Sequence, residues 1–106
     1  MSNGERSTVF AALGDPTRLK LLSNLKDGDS ITTLCAGLPI TRQAVTRHLK
    51  VLQEARLINA ERVGREVQFF RCPARISETR TWLDDISAKW DAKLEHLKAH
   101  VERDSS

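Results

Sequence analysis

Apolar residues recur along this chain at helical spacing in several short stretches and then in one long one. Val9, Phe10 and Leu13, at i, i+1 and i+4, predict a short first helix over 7–13, ended by Gly14 and preceded by a polar, frayed 1–6. Asp15-Pro16 reads as the next helix start: Asp accepts from the free N–H groups of a first turn, and Pro tolerates the first helical position. Leu19, Leu22 and Leu25 are the expected buried stripe of this second helix, with Gly28 as its left-handed cap. Ser30 or Thr32 can cap a short third helix holding Leu34, Cys35 and Leu38, after which Leu38-Pro39-Ile40 makes a turn.

The stretch Ile40 to Leu57 has the clearest two-sided pattern. Val45, Leu49 and Leu52 fall at i, i+4 and i+7 on one face, while Arg42, Gln43, Thr46, Arg47 and Lys50 crowd the other, with Thr41 as the N-cap. Arg, Gln and Thr can hydrogen-bond base edges in a major groove, and Arg and Lys also neutralise phosphates. A short helix, a tight turn and a helix with a polar, cationic N-terminal half together describe a helix-turn-helix over 32–56.

From Leu57 the period shortens towards 2. Leu57 to Val63 and Glu66 to Cys72 are rich in Val, Ile and Phe, flank Gly64-Arg65, and read as a two-stranded hairpin, a wing over 57–72 with Arg62 and Arg65 at or near its tip. Pro73 allows a new helix, in which Leu83, Ile86, Trp90, Leu94, Leu97 and Val101 recur at spacings of 3, 4, 4, 3 and 4. So long an apolar seam is expected to pack against its copy in a second subunit, joined by the first helix through Val9, Phe10 and Leu13. The expectation is a single domain over 1–106, mainly α with a small β-hairpin: a winged helix-turn-helix of three helices, a recognition helix, a two-stranded wing and a long C-terminal dimerisation helix. Helices 7–13 and 74–102 would form the dimer.

At 106 residues the chain can bury only a small core, which dimerisation would extend. The net charge of +3 decides little, but its distribution does. Residues 1–40 are neutral, 41–71 carry +4, and 72–106 carry −1, so the positive excess sits on the recognition helix and wing as a nucleic-acid footprint would. No run approaches the roughly 18 apolar residues of a membrane span, and MSNGERSTVF lacks the apolar core of a signal peptide, so a cytoplasmic protein with no membrane partner is expected.

Three segments together resemble the ArsR family of bacterial winged helix-turn-helix regulators: Phe10-Ala-Ala-Leu-Gly-Asp-Pro-Thr-Arg18, Leu38-Pro-Ile-Thr-Arg-Gln-Ala-Val-Thr-Arg-His-Leu-Lys-Val-Leu52, and Val63-Gly-Arg-Glu-Val-Gln-Phe69. The likeness runs over roughly 7–102 in the right order. It implies a homodimer that binds an inverted repeat of double-stranded DNA, with Arg42, Gln43, Thr46 and Arg47 at bases and Lys50, Arg62 and Arg65 at phosphates or the minor groove. One departure is Arg56, where members usually carry Gly; a left-handed Arg56 costs roughly 1–2 kcal/mol, and the alternative is a reshaped helix exit.

The family's metal positions are degraded here. A site of two cysteines separated by one residue is matched by Cys35 with Gly37 in the second place, and Asp84 and Asp85 are not followed by the histidine of the other site. His96 and His100 share a helix face at a spacing that can chelate zinc, but they lie too near the C-terminus to match the pattern and are read as solvated. Cys35 and Cys72 are read as reduced, inert thiols rather than a redox pair, and no cofactor is expected. An unknown small-molecule effector stays open. Without a Gly-rich phosphate loop or a nucleophile beside a base, an enzyme is not expected. The reading is a DNA-binding repressor; the alternative, a winged-helix module docking protein or RNA, would favour aromatic anchors on the recognition helix, and none is there.

Overall fold

The structure, a computed structural model, describes residues 1–104. Residues Met1–Ile76 form one compact unit, and the chain from Ser77 onward forms a second. In the first unit the order is α1 (Asn3–Leu13), α2 (Pro16–Asn24), β1 (Asp29–Ser30), α3 (Ile31–Cys35), α4 (Arg42–Glu54), β2 (Ile58–Val63) and β3 (Glu66–Arg71). Helix α5 (Pro73–Asp104) begins there and supplies the second unit.

Polar side chains start each of the first four helices as hydrogen-bond acceptors. Ser2, Asp15, Ser30 and Thr41 accept from the backbone N–H of Glu5, Arg18, Thr33 and Ala44, satisfying donors that a helix leaves open. Ser2 explains why α1 starts at Asn3 and is longer than 7–13. Ser30, rather than Thr32, caps α3.

The core is built from Val9 and Ala12 of α1, Leu21 and Leu25 around α2, Leu34 of α3, and Val45, Leu49 and Leu52 of α4, closed by Ala55, Leu57, Ile58 and Phe69. The α2 stripe differs from the expected one. Leu21 and Leu25 are buried and Leu22 is half-buried, whereas Leu19 is 46% exposed. Four leucines within seven positions offer two overlapping faces, and the face at i, i+4 through 21 and 25 is the one that packs.

Gly28 does not cap α2. Leu25 closes that helix by donating to the Leu21 carbonyl, and an extended backbone then leads away. Gly28 takes its positive φ of 96° in the following turn, where its N–H donates to the Phe69 carbonyl at 2.8 Å. That turn lays β1 along β3, with Asp29 opposite Phe69 and Ser30 opposite Gln68. The wing is therefore part of a three-stranded antiparallel sheet of order β1-β3-β2, one strand more than its own hairpin. Asp27 secures the added strand, its Oδ1 accepting from the Arg71 backbone N–H at 2.9 Å.

The hairpin pairs Ile58 with Arg71 through to Val63 with Glu66, leaving Gly64-Arg65 as a two-residue loop. Gly64 has φ of 65° while Arg65 does not enter the left-handed region, the arrangement of a type II′ turn with Gly at its first central position.

Helix α4 ends in a Schellman motif with an unusual residue. Arg56 N–H donates to the Gln53 carbonyl at 2.9 Å, and Leu57 N–H donates to the Leu52 carbonyl at 3.0 Å. Arg56 holds the left-handed position itself, at φ 62°. Of the two outcomes open at this departure, the strained backbone is the one adopted, and the buried pair Leu52 and Leu57 supplies the hydrophobic contact that accompanies such caps.

In the second unit, α5 continues as one helix to Asp104. Its recurring apolar residues Leu83, Trp90, Leu94, Leu97 and Val101 are exposed, with Ile86 half-buried.

Candidate nucleic-acid interface

Helix α4 turns its two faces as its sequence requires. Val45, Leu49 and Leu52 are buried, and Thr41, Arg42, Gln43, Thr46, Arg47 and Lys50 are all exposed. Arg62 and Arg65 are exposed on the hairpin. Among the described residues no ion pair occupies Arg42, Arg47, Lys50, Arg62 or Arg65, so five exposed cations stand outside any salt bridge.

Two hydroxyls on this face already have work within the helix. Thr41 Oγ1 accepts from Ala44 N–H at 3.1 Å, which leaves its proton to donate outward. Thr46 does the reverse: its Oγ1 donates to the Arg42 carbonyl at 2.9 Å, so it offers a solvent-side ligand its methyl group and an acceptor.

Between the start of α4 and the wing lies a cleft of about 510 Å³, lined by Ser30, Ile31 and Thr32 of the β1-α3 segment, Arg42 of α4, and Val63, Arg65, Glu66 and Val67 of the hairpin. It brings one cation from α4 and one from the wing tip to a shared concavity with hydroxyl groups and the Glu66 carboxylate, a net positive lining. Arg62 and Lys50 do not line it. Lys50 instead lines a second groove with Thr46, Leu49, Gln53, Glu54 and Phe69.

The residues expected at a subunit interface separate into two groups. Val9 is fully buried in the core, so its side chain has no surface to offer, while Phe10 and Leu13 keep part of theirs. On α5, Trp90 is 60% and Leu94 57% exposed.

The cysteines and histidines stay apart from this face. Cys35 and Cys72 are both free and half-buried, and burial pushes the Cys72 thiol up, partly opposed by the Arg75 guanidinium. A thiol held protonated is a poor nucleophile and a poor metal ligand. Among the described residues no three His, Cys, Asp or Glu side chains gather as a metal would need, and His96 and His100 therefore have no third ligand there.

The sequence pattern assigns no role to Arg18 or Arg75, which bond to His48 of α4 and to its C-cap Ala55. Arg18 Nε donates to the Ala12 carbonyl at 2.7 Å and its Nη1 lies 3.3 Å from His48 Nδ1. Arg75 is buried, donating from Nε to the Ala55 carbonyl at 3.1 Å and from Nη1 to Glu5 Oε2 at 2.8 Å. Their hydrogen bonds also set nearby carboxylates. The Arg75 side chain holds the Glu5 carboxyl below the usual carboxylate range, and the Arg18 backbone N–H does the same for Asp15. Arg18 does lie in the run quoted for the family likeness, but no periodicity marks an arginine that reaches across three helices.

Comparison with known proteins agrees with this geometry. A helix-turn-helix domain model matches residues 13–61. The solved structure of an ArsR-like transcriptional regulator from Rhodococcus sp. RHA1 superposes with a TM-score of 0.79 at 38% identity, covering 90% of this chain and 91% of that one. The HTH-type transcriptional regulator YuzN of Bacillus subtilis is 37% identical over 59% of this chain and 77% of its own length. The transcriptional repressor SdpR of the same organism is 28% identical over 83% of this chain and 99% of its own. The chain belongs to the ArsR family of winged helix-turn-helix transcriptional regulators.

Proposed function

We propose that the protein is a homodimeric transcriptional repressor that reads an inverted repeat in double-stranded DNA and does so without the metal sites of its family. The observation that carries this is the set of exposed cations along α4 and the wing, none of them in an ion pair among the described residues. Gln43, Thr46 and Arg47 face base edges in the major groove, and the cleft shared by Arg42 and Arg65 suits a backbone phosphate. Thr41, Lys50 and Arg62 add phosphate or minor-groove contacts. Arg42 is placed at phosphate rather than at a base, because it shares its cleft with the wing residue Arg65.

Two copies would join through the exposed α5 stripe, with Phe10 and Leu13 of α1 available beside it. Each would present one α4, with half-sites about one helical turn or a multiple apart. Repression is supported by the relative SdpR, whose name records it. Gly37 standing where the family's second cysteine would be, two residues after Cys35, supports regulation without a metal.

The test is a gel shift on DNA upstream of the protein's own coding sequence, with random duplex as competitor and salt varied. A dimer that neutralises about six to ten phosphates loses roughly 10³ to 10⁵ in affinity between 50 and 200 mM salt, and the upstream duplex survives competition that random DNA does not. No preference for any upstream duplex at any salt concentration would refute the proposal.

A further inference from the structure

The readout face of α4 is held in place by two side chains that contact α1 as well. Arg18 of α2 spends its guanidinium on both helices. Its Nε and Nη2 donate to the Ala12 and Ala11 carbonyls at the end of α1, at 2.7 and 3.1 Å, and its Nη1 meets His48 Nδ1 of α4 at 3.3 Å. A guanidinium only donates, so Nδ1 is the acceptor in this hydrogen bond. Asp15 lies close to both, 3.9 Å from Arg18 Nη1 and 4.0 Å from His48 Nδ1, with Oδ1 accepting the Arg18 backbone N–H.

Arg75, in the first turn of α5, repeats the device at the other end. Its Nη1 donates to Glu5 in the first turns of α1, and its Nε donates to the carbonyl of Ala55, the C-cap of α4. Both arginines therefore place one arm on α1 and another on α4. On α4 the two anchor points are seven residues apart, about 10 Å along the axis.

Apolar packing between α1 and α4 is non-directional, so it specifies roll and register less sharply than directional hydrogen bonds do. A planar fork of hydrogen bonds is directional, and two of them separated along the axis fix both motions. We propose that Arg18 and Arg75 are positioning residues for DNA reading: they lock the roll and register of α4 to α1, and so set where Gln43 and Arg47 meet the bases. This rests on α4 being the DNA-reading helix. Lysine keeps the charge at either position, but a single ammonium at the end of a flexible stem cannot hold acceptors on two helices in a fixed plane.

The experiment compares wild type, Arg18→Lys, Arg75→Lys and His48→Phe on the preferred upstream duplex and on random duplex, with the thermal melt of each variant recorded. Binding is measured well below each melting temperature, so that only folded protein is compared. Each Arg→Lys change leaves the net charge unaltered, so phosphate attraction stays constant. The expected result is a loss of about tenfold on the preferred duplex, with random-duplex affinity within about twofold of wild type. Arg18→Lys combined with His48→Phe loses little more than either alone, because both remove one bridge. If Arg75→Lys fails to fold, Arg18→Lys and His48→Phe carry the test.

Unchanged discrimination in the folded variants would overturn the proposal, as would equal losses on the two duplexes. A wild type that discriminates while its variants also do refutes the bridges alone; a wild type without preference refutes the DNA-reading assignment and the bridges together.

Discussion

Helix α4 and the distal part of α5 carry the same 3–4 spacing of apolar residues and meet opposite fates. The α4 stripe is covered by its own chain: Val45, Leu49 and Leu52 retain 0, 2 and 1% of their surface. On α5, Leu83, Trp90, Leu94, Leu97 and Val101 remain exposed. Periodicity states that a face needs cover, not who supplies it. In α4 the cover comes from α1, α2, α3 and the sheet, all within the first compact unit. For α5 a second copy of the chain is the proposed cover.

That contrast is broken most easily by cutting into each stripe. Leu52→Ala should cost about 2–5 kcal/mol of folding free energy, read by urea denaturation at fixed protein concentration. The paired change Leu94→Glu with Leu97→Glu should instead leave the helical circular dichroism intact and weaken self-association on the order of 100-fold, read by sedimentation equilibrium. A dimer unaffected by the two glutamates would mean that the α5 stripe is not the seam.

Smaller changes sharpen how the covered helix is finished. Arg56→Gly should raise stability by up to about 1 kcal/mol, since Gly relieves the left-handed strain but gains freedom in the unfolded chain. A loss would show that the Arg56 side chain contributes more than its backbone costs. The weakest effect is expected in acid. Because the Glu5 carboxyl is held below its ordinary range by the Arg75 hydrogen bond, its contribution is full above that range and fades as pH falls below about 4. Glu5→Gln should flatten that limb of the melting-temperature profile; an unchanged limb would assign it to Asp15 and Asp27, whose carboxyls are lowered as well.

Much of α4 and the wing was legible because it depends on local rules. The stripe through Val45, Leu49 and Leu52 and the Thr41 cap each follow from neighbours a few residues away, and the Gly64 turn likewise follows from local preference. What stayed hidden depends on distance. Strand β1 exists because Gly28 and Asp27 find Phe69 and Arg71 some forty residues on, and two residues carry no alternation to read. The α2 face was ambiguous because leucines at 19, 21, 22 and 25 satisfy two stripes, and only the third dimension chooses. Arg18 and Arg75 look like surface charges until the helices they join are brought together.

The most direct test concerns the exposed face of α4 itself. Dissociation constants of wild type, Gln43→Ala, Arg47→Ala and Arg65→Ala are measured on the preferred upstream duplex and on random DNA at one salt concentration. Base readout by α4 predicts a loss of about 1–3 kcal/mol on the preferred duplex for Arg47→Ala and a comparable selective loss for Gln43→Ala, with Arg65→Ala weakening both duplexes alike. Equal losses on the two duplexes for all three variants would contradict it.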